Sequence, residues 1–356
     1  MAERIVIPGG TLDAHVHFRQ PGATHKEDFV TGTRAALKGG YTAVFDMPNN
    51  PIPTVTPSAL DEKRRLANGN IYVDLGFNYG GTVESSKTFG LVQDRIRALK
   101  VYMNPTTGNL LVKTDQELET IFTRWPRKYP IMVHAEGQTF ERAINMARKT
   151  GQRLHLCHMS LKREIEMVRD AKNEGLPVTC EVSAHHLLLT EEDADSLPTG
   201  QGRMKPPLAT SEDRDSLWEN LDVIDILASD HAPHTREEKD NFEEEKGPYG
   251  VTGLETTLPL MLTAVDDGLL TLEKLIDMIS TKPRKIFGLR EDPRTFTEVI
   301  FGESSYVIDS KNLETRAKQT PFDGYRVTGR VANVELRGVR ILNEGEIVAL
   351  PQGRII

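Results

Sequence analysis

A chain of 356 residues is too long for a small stapled module and long enough for one large parallel barrel with a small appendage. Its 38% hydrophobic and 27% charged residues are ordinary for a globular enzyme, and its net charge of −8 argues against a nucleic-acid binder. No apolar run is long enough to span a bilayer, the opening Met1 to Ile5 lacks the apolar core of a secretory signal, and two cysteines, Cys157 and Cys180, cannot build a disulfide framework, which points to a reduced, cytoplasmic setting.

In chain order, short β-branched runs alternate with amphipathic segments. The runs are Gly10 to His17, Tyr41 to Phe45, Ile71 to Phe77, Leu99 to Met103, Ile131 to His134, Leu154 to His158, Val178 to Val182 and Val223 to Ala228. Eight strands alternating with helices predict an α/β fold, a (β/α)8 TIM barrel. The helices carry their punctuation. Asp28 to Gly39-Gly40 brackets one, and Thr56-Pro57 opens another that Gly69 closes. Thr114 with Glu117 forms a capping box. Ser160 is expected to cap Arg163 to Asn173, and Leu254–Val265 and Leu272–Ile279 finish the barrel. The stretch Arg236 to Lys246 reads as a solvated loop. From Thr295 the pattern turns to strands, at Val299-Ile300, Tyr306 to Ile308, Arg330 to Leu336 and Val339 to Leu342. The expected division is a barrel over residues 8–294, with 1–7 and 295–356 forming a small β subdomain.

Barrel enzymes gather their chemistry where strands leave the C-terminal face. Here His15 and His17 end the first strand, Lys100 lies in the fourth, His134 ends the fifth, His158 the sixth, and Asp230 the eighth. One such histidine is usually a satisfied core residue; six ligand-capable residues at strand ends are not explained by packing. Residues two apart share a face, so His15 and His17 aim together into the mouth, an arrangement that suits Zn²⁺.

The motifs Asp13 to Gly22, Asp46-Met47-Pro48-Asn49, Leu99 to Tyr102, Val133 to Glu136, His155 to His158 and Ser229 to His234 run in order along the chain. Through them it resembles the dihydroorotases of the amidohydrolase superfamily. The resemblance is closest to the dihydroorotase domain of the animal multifunctional pyrimidine-biosynthesis protein, through Gly22 to Phe29 and Cys180-Glu181-Val182.

That resemblance implies a zinc-dependent cyclic amidohydrolase that interconverts N-carbamoyl-L-aspartate and L-dihydroorotate in de novo pyrimidine synthesis, with a hydroxide bridging two metals. One zinc would be held by His15, His17, Asp230 and Lys100 as N6-carboxylysine, the other by the same carbamate with His134 and His158. Asp230 would also be the catalytic proton carrier. Arg19, Asn49 and His234 would clamp the substrate carboxylate, and Lys205, Gly253 and Thr106 would make further substrate contacts. Cys157 and Glu181 match a third metal position shared with His15, giving two or three zinc ions per chain. Strand alternation turns Cys157 away from His158 unless the strand bends, and a buried inert cysteine is the alternative. A homodimer and an aspartate carbamoyltransferase partner are implied as well; neither nucleic acid nor membrane is.

Several positions depart from the family pattern. Lys205 stands where relatives have arginine or asparagine, Ala184 and Thr252 stand where proline is usual, and the loop Asn104 to Asn109 keeps Thr106 but lacks the aromatic residue that covers the substrate. Two other readings share most of these motifs: a hydantoinase or allantoinase, and an inactive dihydroorotase-like scaffold of a pyrimidine multienzyme. Arg19 with Asn49 favours an acidic substrate over a neutral ring, and the intact ligand set favours an enzyme over a scaffold.

Overall fold

The computed structural model describes residues 3–198, 200–240, 247–302 and 305–356. After β1 (Glu3–Pro8), the strands β2 (Thr11–Val16), β3 (Tyr41–Asp46) and β4 (Asp74–Phe77) pair in parallel. A second parallel run follows, of β5 (Tyr79–Gly80), β6 (Leu99–Tyr102), β7 (Ile131–His134), β8 (Leu154–Leu156), β9 (Val178–Val182) and β10 (Ile226–Leu227). The two runs meet at both seams. Asn78 divides one barrel strand into β4 and β5: its N–H donates to Asp46 on one side (3.0 Å), and the N–H of Tyr79 donates to Ala98 on the other (3.0 Å). At the far seam Val16 bridges to His231, and the His17 N–H donates to the His231 carbonyl at 2.8 Å. The barrel is therefore closed. Every residue of β2, β3, β6 and β7 is buried, as parallel strands covered on both faces require.

Helices form where caps and apolar stripes coincide. Phe29–Lys38 is capped by Asp28, Pro57–Ala67 by Thr56 and Asp115–Arg124 by Thr114 with Glu117, each cap side chain accepting an otherwise orphaned N–H. Ser160 is not a cap. The helix Lys162–Asn173 starts after Leu161, and the carboxylate of Glu164 reaches back to the N–H groups of Ser160 (2.9 Å) and Leu161 (3.1 Å). The predicted strands are shorter than their apolar runs. Ile71 to Val73 lies outside the ladders because it bonds elsewhere: Gly353 donates to Ile71 at 2.9 Å, and the terminal segment continues beside β4, with Leu75 bonded to Arg354 (2.9 Å) and Ile356 (3.0 Å), while Val223 and Ile224 bond back to Asn220 (3.0 Å) and Leu221 (3.2 Å) in a turn ahead of β10. The sequence shows no periodicity that announces this terminal pairing.

Arg236 to Lys246 is not simply a solvated loop. Arg236–Asp240 is a short helix whose Lys239 is only 2% exposed, with Nζ donating to the carbonyls of Gly200, Arg203 and Pro248 at 2.9, 3.0 and 3.2 Å. Residues 241–246 of that stretch, and Met1 and Ala2, lie outside the described residues. At the chain ends β1, β11 (Phe296–Phe301), β14 (Arg330–Leu336), β15 (Val339–Asn343) and β16 (Glu346–Ile347) form an antiparallel sheet in that order, while β12 (Tyr306–Val307) and β13 (Arg326–Val327) pair separately. This sheet packs against the barrel through Val299, Val331 and Val334, which belong to the same apolar core as the barrel residues Val16 and Leu99.

Candidate active site

The period of two along β2 and β6 builds the centre. His15 and His17 project from one edge, Lys100 from another, and Asp230 follows β10. The His17 Nε2 lies 3.1 Å from Asp230 Oδ1, the His15 Nε2 lies 3.3 Å from the same oxygen, and Lys100 Nζ lies 3.4 Å from His15 Nε2. Across the mouth, His134 Nδ1 and His158 Nε2 are 2.8 Å apart. Reaching these positions bends the chain. Arg19, His158 and Asp230 have φ of 55°, 36° and 46°, left-handed values that cost a non-glycine residue about 1–3 kcal/mol each and mark strand ends turned to aim side chains inward. The turn at His158 also resolves the alternation problem at Cys157: its Sγ faces the centre and accepts from Lys100 Nζ at 2.9 Å.

The outer nitrogen of three of these imidazoles is held by an oxygen acceptor. His15 Nδ1 pairs with Glu181, His17 Nδ1 meets Asn49 Oδ1 at 2.7 Å, and His134 Nε2 meets Glu136 Oε1 at 3.0 Å. At His17 and His134 that oxygen fixes the tautomer and leaves the other nitrogen as a lone pair facing the centre, the arrangement seen around metal-bound histidines. Burial pushes His17 down to about 3 and lowers His134 and His158 as well, so these rings are neutral, the form that binds metal. Burial and the Lys100 ammonium oppose charge on His15, but Glu181 and Asp230 outweigh them and raise it to about 10. Burial also opposes charge on Asp230, yet His15 and His17 hold it below the usual carboxylate range. The donor atoms of His15, His17 and Asp230 lie within 4.8 Å of one another, as do those of His15, Cys157 and Glu181. The buried Nδ1 of His158 has no hydrogen-bond partner among the described residues. Neutral imidazoles at His17, His134 and His158 and an ionised carboxylate at Asp230 fit a divalent cation, for which His15 would first release its proton.

Above this centre opens a pocket lined by His15, His17, Arg19, Asn49, Lys100, Thr106, His134, His158, Lys205 and Asp230 among the residues singled out from sequence. Arg19 is 4% exposed. Its Nε donates to the Pro233 carbonyl at 3.0 Å, and a terminal nitrogen lies 3.1 Å from His234 Nε2; burial lowers its pKa to about 10, which leaves it charged. Asn49 bridges two elements, its amide nitrogen donating to the Thr107 carbonyl at 2.9 Å while its oxygen meets His17. The loop that carries Thr106 is thereby tied to the ligand cluster.

His234, Gly253, Cys157 and Glu181 are set back from the pocket wall. His234 stands behind Arg19, bonded to Tyr249 O at 2.9 Å and Lys26 Nζ at 3.1 Å. Gly253 directs its N–H to His231 Nδ1 at 3.3 Å, outside the pocket lining. Cys157 and Glu181 lie beneath Lys100 and His15, where Glu181 also meets His155 Nε2 at 3.0 Å. Lys205 reaches Glu136 at 3.7 Å and lies 5.4 Å from the ring centroid of Tyr249.

Sequence reasoning missed Tyr102, Thr107, Ala232, Tyr249 and Gly250 in the lining. Tyr102 was within reach, being two residues past Lys100 on the same strand face. Tyr249 and Gly250 carry no such signal. Their place depends on the left-handed φ of 130° at Gly250, where an added Cβ would stand 2.6 Å from Ala232.

Set beside known proteins, the chain matches the model of the amidohydrolase family over residues 5–292. It is 43% identical over 352 residues to multifunctional protein CAD of Squalus acanthias, which covers 98% of this chain, and the chain spans only 15% of that protein's length. It is 34% identical over 375 residues to a dihydroorotase of Pyrococcus furiosus, covering 99% of this chain and 85% of that one. Among solved structures, the L-hydantoinase (dihydropyrimidinase) of Arthrobacter aurescens superposes with a TM-score of 0.92 at 27% identity, covering 99% of this chain and 88% of the other.

Proposed function

The chain belongs to the amidohydrolase family, and within it we propose that it is a zinc-dependent dihydroorotase, closing N-carbamoyl-L-aspartate to L-dihydroorotate and reopening that ring with water. The observation that carries this reading is the position of Arg19. A buried, charged guanidinium opens onto the same pocket as the His15, His17 and Asp230 cluster, so a substrate there must bring an anion beside its scissile bond, as dihydroorotate does and a plain hydantoin does not.

His15, His17 and Asp230 would hold one zinc, His134 and His158 a second, and Lys100 would bridge them once its amine has taken up CO₂ and become an anionic carbamate. Cys157 and Glu181 with His15 would offer a third position. Bound there, zinc would polarise the scissile carbonyl and lower the pKa of a water molecule.

The protein's own part is positional and protic. Arg19 grips the α-carboxylate with a planar fork, Asn49 adds an amide, and His234 keeps Arg19 in place from behind. In ring opening, Asp230 takes the proton of the attacking water at its free carboxylate oxygen and delivers it to the departing ring nitrogen. In cyclisation the ureido nitrogen attacks the side-chain carboxyl carbon, and the same oxygen carries the N–H proton to the departing hydroxyl, which leaves as water. The loop bearing Thr106 and Thr107 shields the reacting atoms from bulk solvent. Residues 8–294 are the catalytic unit in this reading, with 1–7 and 295–356 its attached sheet. The working form is a cytoplasmic homodimer that receives substrate from an aspartate carbamoyltransferase.

The test is turnover of N-carbamoyl-L-aspartate, L-dihydroorotate and hydantoin, with metal content measured on the same sample. Interconversion of the first two with zinc bound is expected. Turnover of hydantoin alone, or zinc without turnover, would overturn the assignment. Asp230→Asn should keep the fold and lower kcat by about 10²–10⁴.

A further inference from the structure

Tyr102 is 3% exposed and lines the pocket, and its buried hydroxyl has no hydrogen-bond partner among the described residues. A buried unpaired hydroxyl costs stability, so one on a side chain that lines a ligand pocket invites a functional explanation. Its ring is already placed, tilted 35° to His134 with centroids 6.2 Å apart and standing 5.3 Å from Lys100 Nζ. Packing and shielding of Lys100 would be served equally by phenylalanine; only the hydroxyl lacks a purpose in the free protein.

The strand register says which part of a ligand that hydroxyl meets. Along the first strand and its exit, His15 and His17 are followed two residues on by Arg19. Along β6, Lys100 is followed two residues on by Tyr102. Both ladders place the ligand cluster on the inner steps and a substrate-facing donor on the next step outward. Arg19 and Tyr102 line the same pocket, and a phenol is a neutral donor. A neutral donor beside a buried guanidinium adds a hydrogen bond to an anion without adding a second desolvated charge. We infer that the Tyr102 hydroxyl donates a hydrogen bond to the substrate carboxylate as a further member of the clamp made by Arg19 and Asn49. This rests on the dihydroorotase reading above.

Tyr102→Phe keeps the ring and removes only the hydroxyl. Calorimetric Kd values for N-carbamoyl-L-aspartate and for N-carbamoyl-β-alanine, which lacks the α-carboxylate, are compared in the wild type and in Y102F, together with KM, kcat and melting temperature. The expected result is about a tenfold or greater rise in Kd and KM for N-carbamoyl-L-aspartate, with the weaker binding of N-carbamoyl-β-alanine unchanged, the loss falling on KM more than on kcat, and no fall in melting temperature. Unchanged binding of N-carbamoyl-L-aspartate, an equal loss for both ligands, or a loss confined to kcat would each overturn the assignment. If the wild type turns over neither substrate, the dihydroorotase reading fails; the paired Kd values still decide whether Tyr102 meets the carboxylate.

Discussion

At the scale of single residues, the site depends on a few side chains held where water cannot help them. Arg19 keeps its charge at 4% exposure, so removing it takes away a buried cation that opens onto the pocket. Arg19→Met is expected to raise KM for N-carbamoyl-L-aspartate by about thirtyfold or more, since hydrogen bonds to charged groups are worth roughly 1.5–3 kcal/mol. Arg19→Lys should recover only part of that, because a point charge lacks the planar fork. Steady-state kinetics on the two variants checks this; equal KM values for wild type and R19M would remove Arg19 from the clamp. Arg19 was legible because the same period of two that pairs His15 with His17 reaches it. Tyr102 lies one such step beyond Lys100 and was overlooked because its hydroxyl is not a metal ligand. The outer partners of the ligand histidines were less legible still: Glu136 sits beside His134 in sequence, but Glu181 reaches His15 across 166 residues.

At the scale of elements, one ion pair joins the end of β3 to the helix Pro57–Ala67. Lys63 Nζ lies 2.7 Å from Asp46 Oδ2 and donates to Met47 O at 2.8 Å and to Asn50 Oδ1 at 2.7 Å, with both charged side chains 0% exposed. Asp46 in turn accepts the Phe18 N–H at 2.8 Å, so the pair braces the turn that carries Asn49 and the residue preceding Arg19. Nothing in the sequence announces it. A lysine in a helix so rich in charge reads as solvent-facing, and only the helix's docking over the strand end turns it inward. Lys63→Met leaves a buried carboxylate without a counter-charge and should destabilise the protein by about 3–5 kcal/mol. Urea unfolding of K63M, and of K63M with Asp46→Asn, tests this. The double variant should regain part of the loss, and a K63M protein as stable as wild type would show that the pair braces nothing.

At the scale of the whole molecule, the barrel was legible because its strands are continuous apolar runs and its helices carry explicit caps. The joins were not, because they are made by residues distant in sequence. Glu255, in the first turn of the helix Leu254–Asp266, accepts the N–H groups of Glu314 (2.7 Å) and Thr315 (3.0 Å), tying the segment that follows β12 to the barrel. Burial pushes its carboxyl from the usual 4.5 up to about 7. Between those two values the folded chain holds a proton that the unfolded chain has released, so this group's contribution is complete below pH 4.5 and is lost as the pH rises through 7. The stability of wild type relative to Glu255→Gln should therefore fall by roughly 3 kcal/mol from pH 4.5 to 7. Denaturant titrations of both proteins at a series of pH values measure it, and a difference that does not change with pH would show that Glu255 is ionised throughout.

The proposed metal centre is a whole-molecule feature too, because its candidate ligands leave β2, β6, β7, β8 and β10 and so come from most of the barrel's circumference. A cation there binds only when those strands are assembled, so it stabilises the folded state by mass action, by about 2.7 kcal/mol when present at a hundred times its dissociation constant. Without it the neutral rings of His134 and His158 face each other with nitrogens 2.8 Å apart. Dialysis against a chelator is therefore expected to abolish turnover and lower the melting temperature together. Under the proposed role of Lys100 as a carbamate, zinc supplied with bicarbonate should restore both, whereas zinc alone should restore the melting temperature further than it restores turnover. If melting is unchanged while activity is lost, the strand ends are held in place by the protein alone, and the outer partners Glu181, Asn49 and Glu136 suffice to preorganise the site.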